Sequence, residues 1–334
     1  MAIDVSDDEL DLLIHRVDLD GLIRLIDART TIRDWEGLIR VRQRCRTAAR
    51  ETGRQLWPAA TLAEYRIALW SPARWAAGMI DDEPGRFTVG PLTEVIASRH
   101  TWAELAPHLD PTPAATFVAH ERAIRGEPIP DADLAALPPV LDIPAQLQAW
   151  EPTYPISTYD DVSGTHPEPI ALPDLDEIAI DSCPVIVDDP ATELALRHVV
   201  ETWTSASTGR AEVSCVEGPV TDALAALGVR RARLGSISAA EAIARLAWAG
   251  ASGGAHGRRQ GMAIGRFSAW WVLGALGDLH DDWPPTLDDL SALLDELEWW
   301  VWDAGEPAGG WRLQIGIHHR GEGLSWALNA SDHA

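Results

Sequence analysis

Residues 251–271 read Ala-Ser-Gly-Gly-Ala-His-Gly-Arg-Arg-Gln-Gly-Met-Ala-Ile-Gly-Arg-Phe-Ser-Ala-Trp-Trp, and they carry the most informative pattern in the chain. Four glycines recur there at a spacing of four: Gly253, Gly257, Gly261 and Gly265. In a helix these residues would lie on one side, because residues four apart stack along a helix face. Each glycine costs about 1 kcal/mol relative to alanine inside a helix. We therefore predict a glycine-striped helix whose bare backbone is closely approached by another part of the protein.

The composition limits the chemistry that the chain can perform. It has 334 residues, of which 46% are hydrophobic, which is enough for two domains with buried cores. All 27 residues counted as lysine or arginine are arginine, so a P-loop lysine and a Schiff-base lysine are excluded. Neither a signal peptide nor an apolar run long enough to cross a bilayer is evident, which predicts a cytoplasmic protein. The cysteines are widely separated, and we predict neither a metal site nor a cofactor.

Charge divides the chain into three segments. The net charge is −24, and residues 127–196 supply 15 acids, 12 prolines and no arginine. Prolines at this density interrupt helices and sheet ladders. We therefore predict an acidic, proline-rich connector over 127–183 that packs on the surface, with one domain over 1–126 and another over 184–334.

The first segment is predicted to be an all-helical bundle. Asp34 is a suitable N-cap for a helix that ends near Gly53, and Pro58 suits the first turn of the next helix. Ser6 and Glu9 have the spacing of a capping box, and Arg86–Val89 is a possible short strand.

Arginines recur every fourth residue on the helix after Asp34, at Arg42, Arg46, Arg50 and Arg54. Guanidinium groups bind phosphate well, but this segment carries 19 acids against 16 arginines, whereas a domain that binds nucleic acid is normally basic. The pattern favours pairing within the chain, and we predict no nucleic-acid partner.

The third segment is predicted to be an α/β (α+β) domain with a small mixed sheet, so that the protein as a whole is predominantly α. Strands are predicted at Arg210–Glu217 and Val229–Ile237, and a helix at Pro285–Trp302 with a leucine face. The chain should end in a β-hairpin, because Trp311–Ile317 and Leu324–Leu328 both alternate apolar and polar residues.

The glycine-rich stretch also offers an anion site. A helix break near Ser252 would expose backbone N–H groups, and nearby guanidinium groups bind phosphate or carboxylate. Candidate acid–base residues are His256 and Glu217, the latter at the end of a predicted strand. In the alternative interpretation, the glycines serve close packing and the arginines pair with carboxylates of the protein. The candidate ligand-binding residues are Ser252, Gly253, Gly254, His256, Arg258, Arg259 and Arg266.

Two functions follow from these patterns. The favoured one is a non-catalytic interaction or regulatory protein that binds a protein partner or a second copy of itself through tryptophan-rich surfaces, since the chain has 16 tryptophans and tryptophan is enriched at binding hot spots. The alternative is an enzyme or sensor for a small anionic ligand, a phosphate or carboxylate, at residues 252–266. Whether the chain is an enzyme stays open, and we predict no membrane partner.

Three stretches of the sequence are similar to an uncharacterised family of proteins from high-GC Gram-positive bacteria. They are Gly253-Gly-Ala-His-Gly-Arg-Arg259, Gly265-Arg-Phe-Ser-Ala-Trp-Trp271 and His100-Thr-Trp-Ala-Glu-Leu-Ala-Pro-His108. The resemblance spans about half the chain, and it implies relatives without implying an activity.

Overall fold

The computed structural model describes residues 7–80, 90–305 and 309–333. The chain forms two compact units, Met1–Val140 with Ser157–His166, and Leu141–Ile156 with Pro167–Ala334. The acidic segment predicted as a connector contributes residues to both units. The fold is mixed α+β, and no helix in the described ranges is long and apolar enough to cross a membrane.

Helices make up most of the first unit. Their apolar faces share one core, which includes Leu22, Leu38, Val41 and Ile67. The helices are α1 (Asp7–Arg16), α2 (Leu19–Thr31), α3 (Trp35–Thr52), α4 (Trp57–Trp70), α5 (Ala73–Ala76), α6 (Leu92–Arg99), α7 (Trp102–Leu105), α8 (Pro113–Ile124) and α9 (Asp131–Leu134).

Local sequence signals set the ends of α3 and α4 as expected. The Asp34 carboxylate accepts the Gly37 N–H at 2.9 Å and so satisfies one of the unpaired donors at the start of α3. Gly53 ends that helix in the left-handed conformation with φ of 67°. Pro58 lies in the first turn of α4. The predicted capping box at Ser6 and the predicted strand at Arg86–Val89 lie outside the described residues.

The arginine stripe on α3 is used within the unit. Arg42 and Arg46 are buried, and both reach the Glu64 carboxylate of α4, with Arg42 Nε donating to Oε1 at 2.8 Å. Arg54 donates to the carbonyl of His15 at 2.9 Å. Intramolecular contacts therefore account for three of the four arginines, Arg42, Arg46 and Arg54.

A short hairpin keeps the first unit from being all-helical. Strands β1 (Thr158–Tyr159) and β2 (Gly164–Thr165) pair antiparallel and come from the acidic segment. The Tyr159 hydroxyl donates to the buried Glu94 carboxylate at 2.6 Å, and the Tyr65 hydroxyl donates to the Asp160 carbonyl at 2.6 Å. These buried contacts fix the hairpin against α4 and α6.

The second unit is built on a seven-stranded sheet. Its strands are β3 (Asp176–Ala179), β4 (Val185–Ile186), β5 (Arg210–Glu217), β6 (Arg231–Ile237), β7 (Leu297–Asp303), β8 (Trp311–His319) and β9 (Leu324–Asp332). They are ordered β3-β6-β7-β8-β9-β5-β4, and each neighbouring pair is antiparallel. The prediction of a small mixed sheet is wrong, because the sheet has seven strands and no parallel pair among the described residues. Strands β5 and β6, which the sequence predicts on either side of a helix, are not neighbours: β9 lies beside β5, and β7 lies beside β6.

The predicted terminal hairpin is present as β8 and β9, but the predicted helix Pro285–Trp302 is not continuous. Its first part is helical and its last part is strand β7, whose Trp299 and Val301 side chains are buried in alternation. Alternating bulky side chains favour a strand once a partner such as β8 is available. The helices of this unit are α10 (Pro190–Val199), α11 (Glu201–Ser205), α12 (Val220–Ala226), α13 (Ala239–Ala251), α14 (Met262–Leu276) and α15 (Leu287–Glu296).

The glycine stripe does not lie on one helix, so that prediction is wrong. Helix α13 ends before Ser252, and α14 starts after Gly261, whose φ is 96°. Gly253, Gly254 and Gly257 therefore lie in a loop, which Gln260 closes by donating its N–H to the Ala251 carbonyl at 2.8 Å. The close approach itself is real, since a Cβ atom on Gly265 would collide with the Ala247 carbonyl of α13.

Candidate functional site

The inner part of the 252–261 loop is engaged with the rest of its own unit. Ser252 is buried, and its hydroxyl accepts the Trp203 indole N–H at 2.7 Å and donates to the Ala249 carbonyl at 2.9 Å. The side chain of Trp203 is also fully buried. Ser252 therefore holds the loop to an aromatic core.

A carboxylate of the chain itself occupies the place predicted for an anionic ligand. The Ala255 N–H donates to Asp332 Oδ2 at 2.6 Å, and the Asp332 side chain is 0% exposed. A Cβ atom on Gly254 would collide with the same carboxylate oxygen, so the glycine is needed for the approach. The Ala255 N–H, next to Gly254, therefore binds a carboxylate of the chain itself, and ligand binding by Gly253 and Gly254 stays a prediction.

The outer part of the loop carries the remaining predicted ligands. His256 and Arg258 are exposed, and Arg259 is half-buried. The His256 N–H donates to Ser207 Oγ at 3.2 Å, and both arginines have interaction partners in the structure.

Arg266 cannot bind a ligand, and its prediction as an anion clamp is wrong. Its side chain is 0% exposed, and it forms a two-pronged ion pair with Glu151, with Nε–Oε2 and Nη2–Oε1 distances both of 2.6 Å. The other N–H groups donate to carbonyls, including that of Pro144 at 2.7 Å. The guanidinium also lies over the Trp270 ring, 5.5 Å from its centre. The N–H groups of the guanidinium are therefore engaged by residues 144–151 of the same chain.

The ion pair also sets the ionisation of Glu151. Burial raises the pKa of this carboxyl, but hydrogen bonds from Arg266 and its positive charge outweigh burial and hold the pKa below its ordinary value. Tyr154 donates its hydroxyl to the same carboxylate at 2.5 Å. Glu151 therefore stays charged at neutral pH.

Glu217 and His256, the two acid–base candidates, do not share a site. Glu217 is paired with Leu324 at one end of β5, whereas Arg210 at the other end is paired with Ser331, beside the loop's partner Asp332. At about 3.3 Å per residue, these two ends of the strand are roughly 23 Å apart.

A different site is present in the first unit, where a cleft of about 1120 Å³ opens between helices and the β1–β2 hairpin. Asp27 of α2 lines one side, Arg66 and Trp70 of α4 form the base, and Asp161 and Val162 at the tip of the hairpin form another side. The turn between α2 and α3 and the segment after α4 add Arg33 and Arg74. Clefts of this kind are the usual place for ligands.

Arg66 organises the base of the cleft. It is buried, and its two Nη atoms contact Asp27 Oδ1 at 3.0 Å and Asp161 Oδ1 at 2.9 Å. The Trp70 indole N–H donates to the same Asp161 oxygen at 2.6 Å, and the Arg99 guanidinium lies 4.3 Å from the Trp70 ring centre. One carboxylate thus binds an arginine and a tryptophan together, and the indole ring is held in a fixed orientation.

Two arginines and His100 are among the other polar residues that line the cleft. Arg33 and Arg74 are exposed and form no ion pair with any described residue. Burial lowers the pKa of His100 more than the charge of Glu104 raises it, so this imidazole is neutral at physiological pH. Its Nε2 atom has no hydrogen-bond partner among the described residues.

Two of the sixteen tryptophans, Trp35 and Trp70, line this cleft. All sixteen tryptophans lie in the described ranges; seven are buried, and Trp70 is the most exposed, at 39%. The spacing of Arg66 and Trp70, four residues apart on a predicted helix, was the available sequence signal for a shared face. Their partners Asp27 and Asp161 are 39 and 91 residues away, which no local pattern connects.

Comparison with known proteins identifies a family and nothing more specific. Neither the curated proteins nor the solved structures gave a match. The model of a family of unknown function, DUF6183, matches residues 20–332, which include parts of both units. By this match the chain belongs to the DUF6183 family.

Proposed function

We propose that this chain is a non-catalytic interaction or regulatory protein and that it binds a protein partner in the cleft of its first unit. The observation that carries the proposal is that Trp70, 39% exposed, lines the same cleft as Arg33 and Arg74, which have no ion pair with described residues. Tryptophan and arginine are the side chains that most often dominate binding energy at protein interfaces. Their combination in one cleft supports recognition by contact.

The fate of the predicted catalytic residues supports the same choice. Glu217 lies at one end of β5, whereas the loop that carries His256 lies beside the other end. Arg266 is paired with Glu151. The favoured function thus has a site with available binding groups, while the proposed enzyme site has lost its acid–base pair and one of its clamps.

Site-specific crosslinking tests the proposal. A photoreactive phenylalanine analogue replaces Arg74 at the cleft or, as a control, Arg24, an exposed arginine of α2 that does not line the cleft. We expect a discrete adduct in native cell extract from position 74 and none from position 24. An adduct of twice the chain's mass would assign the partner as a second copy. Equal labelling from both positions, or none from position 74, contradicts the proposal.

A small anionic ligand on the outer side of residues 252–266 is the alternative. His256 and Arg258 are exposed there. Thermal shift against phosphorylated and carboxylated metabolites, with Arg259→Ala for comparison, tests it. A stabilisation that disappears in this variant would replace the interaction proposal.

We also propose a cytoplasmic location and a high-GC Gram-positive bacterial source. All three cysteines are free, which suits a reducing compartment. The use of arginine alone among the 27 lysine-or-arginine positions fits a GC-rich genome.

A further inference from the structure

We infer that the cleft of the first unit recognises an acidic peptide segment that also carries apolar side chains. This inference rests on the proposed function and adds the chemistry of the partner. It comes from two arginines that have no ion pair with described residues, an internal example of the contact, and the size of the cleft.

The carboxylates that line the cleft are already engaged. Asp27 and Asp161 both pair with Arg66, and Glu104 closes a capping box by accepting the Thr101 N–H at 2.9 Å. Arg33 and Arg74 have no such partner among the described residues. Arg33 and Arg74 are therefore the cations of the lining that have no ionic partner among the described residues, in a chain whose net charge is −24.

Asp161 shows how an acidic segment binds here. This residue comes from the acidic stretch of the chain, and its carboxylate accepts from both Arg66 Nη1 at 2.9 Å and Trp70 Nε1 at 2.6 Å. Next to it, Val162 is 77% exposed and lines the cleft. An acidic residue followed by an apolar one thus already lies at one side of the cleft, and a partner with the same pattern would meet Arg33 and Arg74, which have no ion pair with the described part of the chain.

The dimensions and the apolar lining favour a peptide. Small-molecule pockets enclose roughly 300–1,000 Å³, and this cleft reaches about 1120 Å³. Trp35, Trp70 and Val162 add apolar surface to the lining. Charge complementarity selects the carboxylates of the segment, and the tryptophans supply contact area for its apolar side chains.

Fluorescence anisotropy with a labelled synthetic peptide tests the inference on the full chain. The probe is a segment of about nine residues, roughly 30 Å when extended, with glutamates around two leucines; the matched peptide has glutamine in place of every glutamate. We expect the acidic peptide to bind and the glutamine peptide not to. Arg33→Gln and Arg74→Gln should each weaken binding about fivefold, and the double variant about 25-fold. Arg24→Gln should leave the affinity unchanged.

The outcomes separate this inference from the function on which it rests. Equal binding of the glutamine peptide, or affinities unchanged in both cleft variants, overturns the acidic chemistry. If crosslinking from position 74 still yields an adduct in that case, the interaction proposal stands with a different partner chemistry. If neither the crosslinking nor the anisotropy experiment gives the expected result, the interaction proposal and the inference about its partner are both contradicted. Circular dichroism of each variant confirms that the exposed substitutions leave the fold intact.

Discussion

At the scale of single residues, both units pair their buried arginines with carboxylates, and exposed arginines need no such partner. Arg42 in the first unit and Arg266 in the second are buried, and each contacts a buried glutamate, Glu64 or Glu151. A buried charge without a partner costs several kcal/mol, so these glutamates are required once the arginines are enclosed. Arg33 and Arg74 of the cleft face solvent, where water solvates them without such a partner among the described residues.

Removing one member of a buried pair should be costly. In Glu151→Gln, Arg266 keeps its charge and its burial but loses the carboxylate, and we expect the free energy of unfolding of the second unit to fall by about 3 kcal/mol. Urea denaturation at pH 7 measures it. Glu168→Gln, at an exposed acid of the same unit, should change stability by less than about 0.5 kcal/mol.

The same variant has a defined pH dependence. Because the folded pKa of Glu151 is lowered, its contribution to stability is present above the ordinary value of 4.5 and is lost as pH falls through the folded pKa. The difference in free energy of unfolding between wild type and Glu151→Gln should therefore narrow as pH falls through the folded pKa of Glu151. A difference that stays constant into acid would show that the carboxylate charge is not what stabilises Arg266.

The roles of these residues were only partly predictable. The sequence marks Arg266 as unusual because it stands among glycines and tryptophans, but its partner Glu151 is 115 residues away in the acidic segment. The alternative that arginines pair with carboxylates of the protein is confirmed at this position. Which carboxylate is used depends on the tertiary fold.

At the scale of elements, the crossing of α13 and α14 depends on two glycines. A Cβ atom on Gly250 would lie 3.3 Å from the Gly265 Cα atom, and one on Gly265 would meet the Ala247 carbonyl. The backbones of the two helices are therefore in direct contact. Backbone atoms cannot move aside as a side-chain terminus can.

This contact decides whether replacing Gly265 stabilises or destabilises the protein. Gly265→Ala gains about 1 kcal/mol of helix propensity but forces the helices apart, and overpacking costs about 1–3 kcal/mol or more. We expect a net loss of about 2 kcal/mol in thermal or urea unfolding. Gly78→Ala, where an added Cβ meets nothing, is the control and should be near neutral. A Gly265→Ala protein more stable than wild type would contradict the close crossing.

Elements were predictable where the pattern is local. The N-cap at Asp34, the C-cap at Gly53 and the alternation of the final hairpin are short-range signals, and the structure has all three. The helix predicted over Pro285–Trp302 fails at its end because leucines at helical spacing run directly into alternating tryptophans. The spacing of the glycines gave a wrong prediction because glycines also break helices. Gly261 of the stripe and Gly254, next to the stripe residue Gly253, adopt positive φ.

At the scale of the molecule, the topology was beyond local patterns. The sheet brings β9, the last strand, beside β5 and leaves β5 and β6 apart, and the cleft unites residues from α2, α4 and the hairpin tip. Both depend on contacts between distant parts of the chain. The acidic stretch was recognised by composition, but its hairpin with Asp161 at the tip was not.

NMR of the indole N–H groups tests whether the cleft around Trp70 receives an acidic segment. On titration with the glutamate peptide, we expect the resonances of Trp70 and Trp35 to move, while that of Trp203, which is buried in the other unit and bonded to Ser252, stays in place. Trp70→Phe assigns the key signal. An unmoved Trp70 resonance at saturating peptide, or an equal shift with the glutamine peptide, would contradict the account.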